Sequence, residues 1–146
     1  MIDKPLIEKK LRRIEDLLRE LNGAEIATIE EFKVNIVVKR FIERNIELAV
    51  EQMIDICKYL VSGLDLKEPE NYSDCLNSIA KEGIVSEQYL DTYKSMVRFR
   101  NILIHAYEGV DDSITYNIYK QRLDDFRAFI KELRSYLGNP DLHRNG

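Results

Sequence analysis

The 146-residue sequence contains no tryptophan, two cysteines, two histidines and three prolines, and each of these scarcities narrows the class of protein. So few cysteines and histidines make a structural zinc site improbable, and they do not form the dense cysteine framework of a small secreted domain. No uncharged run approaches the roughly 20 residues that a membrane-spanning helix requires, and the N-terminus carries acids instead of a basic-then-apolar signal pattern. We therefore expect a cytoplasmic protein without a membrane segment.

Apolar and charged side chains are abundant, at 45% and 33% of the residues, whereas glycine occurs only six times. This composition predicts a folded chain and excludes the collagen-like and low-complexity classes. The length fits a single domain over residues 1–146 with one hydrophobic core. The net charge of −4 argues against sequence-independent binding of nucleic acid over a broad surface, so an RNA or nucleotide partner requires a local cationic site.

Apolar residues recur at helical spacing along nearly the whole chain, which predicts an all-α fold. We expect an antiparallel bundle of four to five helices, or alternatively a two-layer array in which a short third helix crosses the bundle end. The predicted helices span residues 5–21, 28–63 (straight or bent), 73–83, 86–107 and 111–138. The tail after about residue 138, which includes His143, is expected to fray.

Capping signals set the predicted helix boundaries. Thr28 followed by Glu31 is a capping-box pattern, Ser73 and Ser86 are predicted N-caps, and Gly109 is predicted to stop the fourth helix. The second helix, the spine of the bundle, has an inward seam of Ile42, Ile46, Ala49, Met53, Ile56 and Leu60. The side chains of the fifth helix that are predicted to face the core are Ile114, Ile118, Phe126, Ile130, Leu133 and Leu137.

Most catalytic signatures are missing from the sequence. It contains no glycine-rich phosphate loop, no Gly-x-Ser-x-Gly elbow, no His-Glu-x-x-His pair and no tandem Cys-x-x-Cys. The unusual segment runs from Arg100 to Tyr107, where an arginine, an asparagine, a histidine and a tyrosine occur within eight residues. We therefore place the candidate site at the end of the fourth predicted helix.

Two faces of that helix carry its polar residues. At 100° per residue, one polar stripe comprises Lys94, Arg98, Asn101 and His105. Arg100 lies about 140° from His105, among apolar side chains. Burying an unpaired guanidinium is costly, so Arg100 needs a carboxylate, a neighbouring chain or a ligand phosphate. Asp55 on the second helix is the candidate carboxylate, and such a pair can also be a purely structural staple.

A second cationic stripe is predicted on the spine helix. Lys33, Arg40 and Arg44 follow an i, i+7, i+11 spacing, which places them on one helix face. That face can guide RNA or contact an acidic partner. A solvated surface is the simpler interpretation.

The segment Arg100-Asn101-x-x-x-His105-x-Tyr107 resembles the Arg-x(4–6)-His signature of HEPN domains, and its His-x-Tyr ending resembles the HepT-like toxin branch of that family. The likeness extends over most of the chain. It includes Ile54-Asp55-Ile56 in the long helix, the loop at 69–72, and the later Leu123-Asp124-Asp125-Phe126. The order of these segments makes the resemblance more specific than the bare motif.

The resemblance implies a HEPN-like helical bundle that acts as a dimeric, metal-independent endoribonuclease without a cofactor. Arg100 and His105 would be the catalytic residues, Asn101 an auxiliary residue, and the motifs of two protomers would meet at a cleft. The family also implies a toxin that a cognate minimal nucleotidyltransferase neutralises by adding AMP to Tyr107. The side chains suit cleavage by the 2′-OH of RNA, because imidazole transfers protons near neutral pH and guanidinium stabilises phosphate charge.

Two other classes of function fit the sequence. A non-catalytic HEPN module that binds a nucleotide or a nucleotidyltransferase would use Arg100 for dimer structure alone, and the acidic net charge favours that alternative. A plain helical scaffold would use His105 only to cap a helix end. The joint occurrence of four polar residue types in one segment favours the ribonuclease, since a cap needs only one of them.

Overall fold

The computed structural model describes residues 2–106 and 109–138, and within these ranges it contains seven α-helices and no strand. The helices are α1 (Lys4–Asn22), α2 (Ile29–Val34), α3 (Ile36–Gly63), α4 (Tyr72–Lys81), α5 (Glu87–His105), α6 (Asp112–Gln121) and α7 (Leu123–Leu137). The predicted all-α fold is confirmed. In the described ranges, none of these helices has the combined length and apolarity that crossing a membrane requires.

The longest helix, α3, has 28 residues and therefore a length of about 42 Å. It packs along α1 and also against α4 and α5, while α7 packs against α1 and α5. The buried seam of α3 is the one that its spacing predicts, and each of its members is at most 1% exposed: Ile42, Ile46, Ala49, Met53, Ile56 and Leu60. Apart from Phe99, the buried apolar side chains of the described residues form one continuous cluster around this seam.

The predicted second helix is two helices, α2 and α3, which meet at Asn35. The backbone of Asn35 leaves the helical region at φ −94°, ψ 87°, and its Oδ1 accepts the N–H of Val38 at 3.1 Å. Thr28 caps α2 as predicted and accepts the N–H of Glu31 at 3.2 Å. The short amide side chain of Asn35 therefore caps a new helix at a position where apolar spacing alone predicts continuation.

The predicted fifth helix is likewise divided, into α6 and α7, at Arg122, whose backbone lies at φ −121°, ψ 9°. The prediction that Ile114 faces inward is wrong, because its residue surface is 51% exposed and α6 buries Thr115 and Tyr119 instead. Ile118 packs partly buried against the core. The predicted inward residues of α7 are all buried: Phe126, Ile130, Leu133 and Leu137. Two helix breaks thus raise the count from the predicted four or five to seven.

The short helix α4 begins earlier than predicted. Asn71, not Ser73, is its N-cap, since the Oδ1 of Asn71 accepts the N–H of Asp74 at 2.9 Å. Tyr72 is therefore the first residue of α4. The ring of Tyr72 lies next to Arg100 of α5.

Helix α5 begins as predicted, with Ser86 Oγ accepting the N–H of Tyr89 at 3.3 Å. It ends at His105, two residues earlier than predicted, because Ala106 has left the helical region at φ −85°, ψ 80°. Tyr107 and the tail residue His143 lie outside the described residues.

Cys57 of α3 and Cys75 of α4 are free and buried, and both line a cavity of ≈ 10 Å³ between these helices. A hydrogen bond with Cys75, together with burial, raises the pKa of the Cys57 thiol far above its usual range. Cys57 is consequently neutral and acts as an apolar packing group at physiological pH.

Candidate functional site

Arg100 extends from α5 toward α3, and its side chain is 19% exposed. Its Nη1 donates to Asn101 Oδ1 at 3.1 Å, and its Nη2 donates to Glu51 Oε1 at 3.4 Å. The Nε atom is buried without a hydrogen-bond partner among the described residues. Because a guanidinium has five N–H groups in a rigid fork, Nη1 and Nη2 each retain an N–H group beyond these two bonds, which a phosphate oxygen can accept.

The prediction that Asp55 pairs with Arg100 is wrong. Asp55 is exposed and forms an ion pair with Lys10 of α1, with 3.7 Å between Nζ and Oδ2. Glu51, one helical turn earlier on α3, pairs with Arg100 instead. Glu51 and Asp55 are four residues apart and lie on nearly the same face of α3, so spacing alone does not show which of them meets Arg100. The position along α3 at which α5 packs decides between them.

His105 is the last residue of α5 and is exposed to solvent. Five residues separate it from Arg100, which corresponds to about 7.5 Å along an ideal helix and about 140° around it. Arg100 reaches toward α3, and its neighbour Asn101 is bound to it. The structure thus joins Arg100 to Asn101 and leaves His105 on a different side of α5.

Two apolar side chains are exposed between the polar residues of this segment. The surface of Ile102 is 52% exposed and that of Ile104 is 36% exposed. Exposed apolar residues next to functional polar groups are typical of surfaces that meet another molecule. The end of α5 therefore combines a cation, an imidazole and apolar contact area.

The aromatic ring of Tyr72 is a neighbour of Arg100 that no pattern in the sequence predicts. The Cζ atom of Arg100 lies 6.0 Å from the ring centroid, within the range of a cation–π contact. The Nζ atom of Lys58 lies 6.0 Å from the same centroid. No periodic pattern links Tyr72 to α5, because the contact depends on how α4 packs against its neighbours.

The cationic stripe that the sequence predicts on the spine helix is divided in the structure. Lys33 lies on α2, whereas Arg40 and Arg44 lie on α3, so the break at Asn35 removes the single shared face. Arg40 and Arg44 form ion pairs within α3, with Glu43 at 2.7 Å and with Glu47 respectively. These local pairs agree with the simpler interpretation, a solvated surface.

On α5, Lys94 is half-buried and Arg98 is exposed, and the Nη2 of Arg98 donates to Ser95 Oγ at 2.9 Å. Arg98 therefore has a local polar partner within its own helix. It belongs to the predicted polar stripe with Asn101 and His105, but among the described residues no hydrogen bond joins it to Arg100.

A groove of ≈ 500 Å³ lies between α1 and α7, lined by Arg19, Arg127, Lys131 and Arg134 among others, and no residue of the 100–105 segment lines it. One of these cations, Arg134, forms ion pairs with Glu8 at 2.6 Å and with Glu15 at 2.8 Å. No three His, Cys, Asp or Glu side chains within residues 2–106 and 109–138 are grouped as a metal site requires.

Comparison with known proteins gives consistent matches. The sequence model of the ribonuclease HepT-like family matches residues 7–133. The mRNA nuclease HepT of Shewanella oneidensis is 25% identical over 105 residues, which is 72% of this chain and 79% of that protein.

Two solved structures share the architecture. The cytosolic protein YutE of Bacillus subtilis matches with a TM-score of 0.78 and 25% identity, over 93% of this chain and 91% of YutE. A tri-AMPylated HEPN toxin of Shewanella oneidensis, solved in complex with MNT antitoxin, matches with a TM-score of 0.81 and 23% identity, over 92% of this chain and 99% of the toxin.

These structural matches show that the chain shares the all-α fold of a HEPN toxin. More particularly, because the family match extends over residues 7–133, the chain belongs to the ribonuclease HepT-like family. The family inferred from the Arg100–Tyr107 segment is confirmed. The roles of the individual residues remain predictions.

Proposed function

We propose that this chain is a metal-independent endoribonuclease toxin that acts as a homodimer in the cytoplasm. The observation that carries the proposal is the end of α5, where a half-buried arginine with spare N–H donors lies five residues before an exposed imidazole in a ribonuclease-family chain. The substrate is single-stranded RNA, whose 2′-OH supplies the nucleophile. Arg100 and His105 are the proposed catalytic residues.

The proposed reaction is an internal transfer at phosphorus. His105 of one protomer accepts the proton of the 2′-OH as that oxygen bonds to the adjacent phosphorus, and His105 of the second protomer protonates the departing 5′-oxygen. The products are a 2′,3′-cyclic phosphate and a 5′-hydroxyl end. Arg100 stabilises the charge on the non-bridging oxygens. Asn101, which already accepts a hydrogen bond from Arg100, orients the guanidinium.

Two features support a dimeric site. Arg100 and His105 project about 140° apart on an ideal helix, so one chain does not bring both to the same phosphate oxygen directly. Ile102 and Ile104 are exposed beside them and offer apolar area to a second copy. A two-fold arrangement would add the partner's groups to the same cleft.

We further propose an antitoxin partner that is a minimal nucleotidyltransferase. In this proposal the Tyr107 hydroxyl attacks the α-phosphate of ATP, AMP becomes bound to the tyrosine oxygen, pyrophosphate leaves, and the phenolic proton passes to solvent. The related HEPN toxin of known structure is tri-AMPylated and bound to an MNT antitoxin, which supports this step. Each added AMP places bulk and negative charge beside His105, which opposes RNA binding.

The test is cleavage of total RNA by the purified protein in the presence of a metal chelator. We expect His105→Ala and Arg100→Ala each to lower the rate at least about 100-fold, the scale of a lost proton-transfer or oxyanion-stabilising group. Arg98→Ala is the matched control, because this exposed arginine lies on the same helix with Ser95 as its partner. The 3′ ends should carry cyclic phosphate. Equal cleavage by all variants would overturn the proposal.

A second candidate, a non-catalytic partner-binding module, is favoured by the Arg100–Glu51 pair. That pair partly satisfies the charge and the hydrogen-bonding capacity of the Arg100 guanidinium without any substrate. In that case wild-type protein leaves RNA intact in the same assay, yet still binds a nucleotidyltransferase. The cleavage experiment therefore separates the two candidates.

A further inference from the structure

Lys58 and Tyr72 form a basic and aromatic pair next to Arg100 that has no part in the bond-breaking steps above. Lys58 is exposed on α3, and Tyr72 is half-buried at the start of α4. The Lys58 ammonium and the Arg100 guanidinium each lie 6.0 Å from the centroid of the Tyr72 ring. Two cations thus lie at 6.0 Å from the centroid of one aromatic ring, and one of them is the proposed catalytic arginine.

The Tyr72 ring is held in place from inside the protein. It lines the small apolar cavity between α3 and α4 together with Cys57 and Cys75. This packing against the core limits the motion of the side chain, and the residue as a whole remains partly exposed to solvent. A fixed and partly exposed aromatic ring is the usual element on which proteins stack an unpaired base.

The charge of Lys58 is available to a ligand. Within the described residues, the Nζ of Lys58 forms no ion pair, and the nearby carboxylates have partners of their own. Asp55, one turn earlier on α3, pairs with Lys10, and Glu51 pairs with Arg100. Because both cations lie against the same ring, they are close enough to contact neighbouring phosphates of one single strand.

We infer that Tyr72 and Lys58 form a subsite for the nucleotide next to the scissile phosphate of single-stranded RNA, with the ring against the base and the ammonium on the adjoining phosphate. This inference rests on the proposed ribonuclease function, because it takes Arg100 as the contact to the scissile phosphate. The substrate strand then runs from the end of α5 across the start of α4 to α3. The subsite provides the local cationic site that a chain with a net charge of −4 needs in order to bind RNA, because it places Lys58 beside Arg100.

The experiment measures binding of a fluorescein-labelled 2′-O-methyl RNA of random sequence and about 12 nucleotides, a length within the range of known single-strand sites. The methyl group blocks attack by the 2′-oxygen, so binding is separated from cleavage. We expect Lys58→Gln to weaken binding about fivefold at 0.1 M salt. The salt slope, which is the slope of the logarithm of the binding constant against the logarithm of the salt concentration, should fall in magnitude by about 0.7, the value for one lost phosphate contact on a single strand. Tyr72→Phe should bind like wild type, and Tyr72→Leu should bind at least about fivefold more weakly.

Lys120→Gln is the matched control, because Lys120 also lies over a tyrosine ring, that of Tyr119 on α6, at 5.6 Å. It should leave both the affinity and the salt slope unchanged. Lys58 is exposed, so its variant folds even if Tyr72→Leu does not. An unchanged affinity and slope for Lys58→Gln overturns the subsite, and intact cleavage by the wild type then leaves the ribonuclease standing. Absence of both RNA binding and RNA cleavage by the wild type overturns both proposals.

Discussion

Arg100 combines partial burial with incomplete hydrogen bonding, and this combination suits a group that receives a ligand. Its bond to Glu51 is long, at 3.4 Å, and its Nε has no partner among the described residues. In a structural arginine the N–H groups of the guanidinium are typically bonded to acceptors, as those of Arg134 are to Glu8 and Glu15. Arg100 is held in position by Glu51, Asn101 and the Tyr72 ring while part of its fork stays open.

Glu51 places a negative charge beside the proposed phosphate site, and its removal is a test at the scale of one residue. Glu51→Gln keeps the shape and an acceptor oxygen but no longer neutralises Arg100. A unit charge about 6 Å from a phosphate in water contributes roughly 0.7 kcal/mol, so we expect RNA to bind about threefold more tightly. The measurement is the affinity for the same 2′-O-methyl RNA.

Glu87→Gln serves as the control for this prediction, because Glu87 is exposed at the other end of α5, about 20 Å from Arg100 along the helix. It should leave RNA affinity unchanged. Weaker binding of RNA by Glu51→Gln than by wild type would show that Glu51 serves RNA binding by holding Arg100 rather than by opposing phosphate.

At the scale of elements, Arg134 of α7 is the main polar link to α1. Its guanidinium forms paired hydrogen bonds with Glu8 and with Glu15. The hydrogen bonds from Arg134 hold the pKa of the Glu15 carboxyl below its ordinary value of 4.5. A depressed carboxyl pKa stabilises the fold above that ordinary value, and the contribution is lost as the pH falls through the lower, folded-state pKa.

We therefore expect Arg134→Met to lower the free energy of unfolding by about 1 kcal/mol at pH 7, the upper range for a half-exposed ion pair with good geometry. The deficit relative to wild type should shrink as the pH falls below the ordinary glutamate value of 4.5. Urea unfolding at pH 7 and at acidic pH measures both quantities. Arg127→Met, which removes an exposed pair with Asp124 inside α7, should show little change. A deficit that stays constant with pH would contradict the linkage.

At the scale of the whole molecule, the proposed activity depends on two copies meeting at the end of α5. Ile102→Asp puts a charge on this exposed apolar position without disturbing the core, since the residue is 52% exposed. We expect the protein to shift from dimer to monomer and RNA cleavage to fall with it, while the melting temperature of the protomer changes little. Light scattering after size-exclusion chromatography measures the mass.

The control substitution is Lys81→Asp, at an exposed position near the end of α4. It should leave mass and cleavage as in the wild type. A monomeric wild type that cleaves RNA would remove the need for a composite site, and a dimeric Ile102→Asp variant would place the interface elsewhere.

The sequence by itself determined the features that depend on local spacing. The 3.6-residue periodicity identified the all-α fold and the buried seam of α3, and the capping residues Thr28 and Ser86 marked where α2 and α5 begin. The residues at 100–107, together with the order of similar segments along most of the chain, indicated the family that the sequence model confirms. The periodicity and the caps are readable because each depends on neighbours within one or two turns.

Only the tertiary structure decided which distant residues meet. It selected Glu51 over Asp55 for Arg100, brought Tyr72 and Lys58 beside it, and placed Ile114 on the surface. The physical reason is that helical periodicity specifies which face of a helix is buried, but not the position along the helix axis at which a neighbouring helix packs. The level at which one helix crosses another depends on the packing of all the side chains between them, and on caps such as Asn35 that end one helix and begin the next.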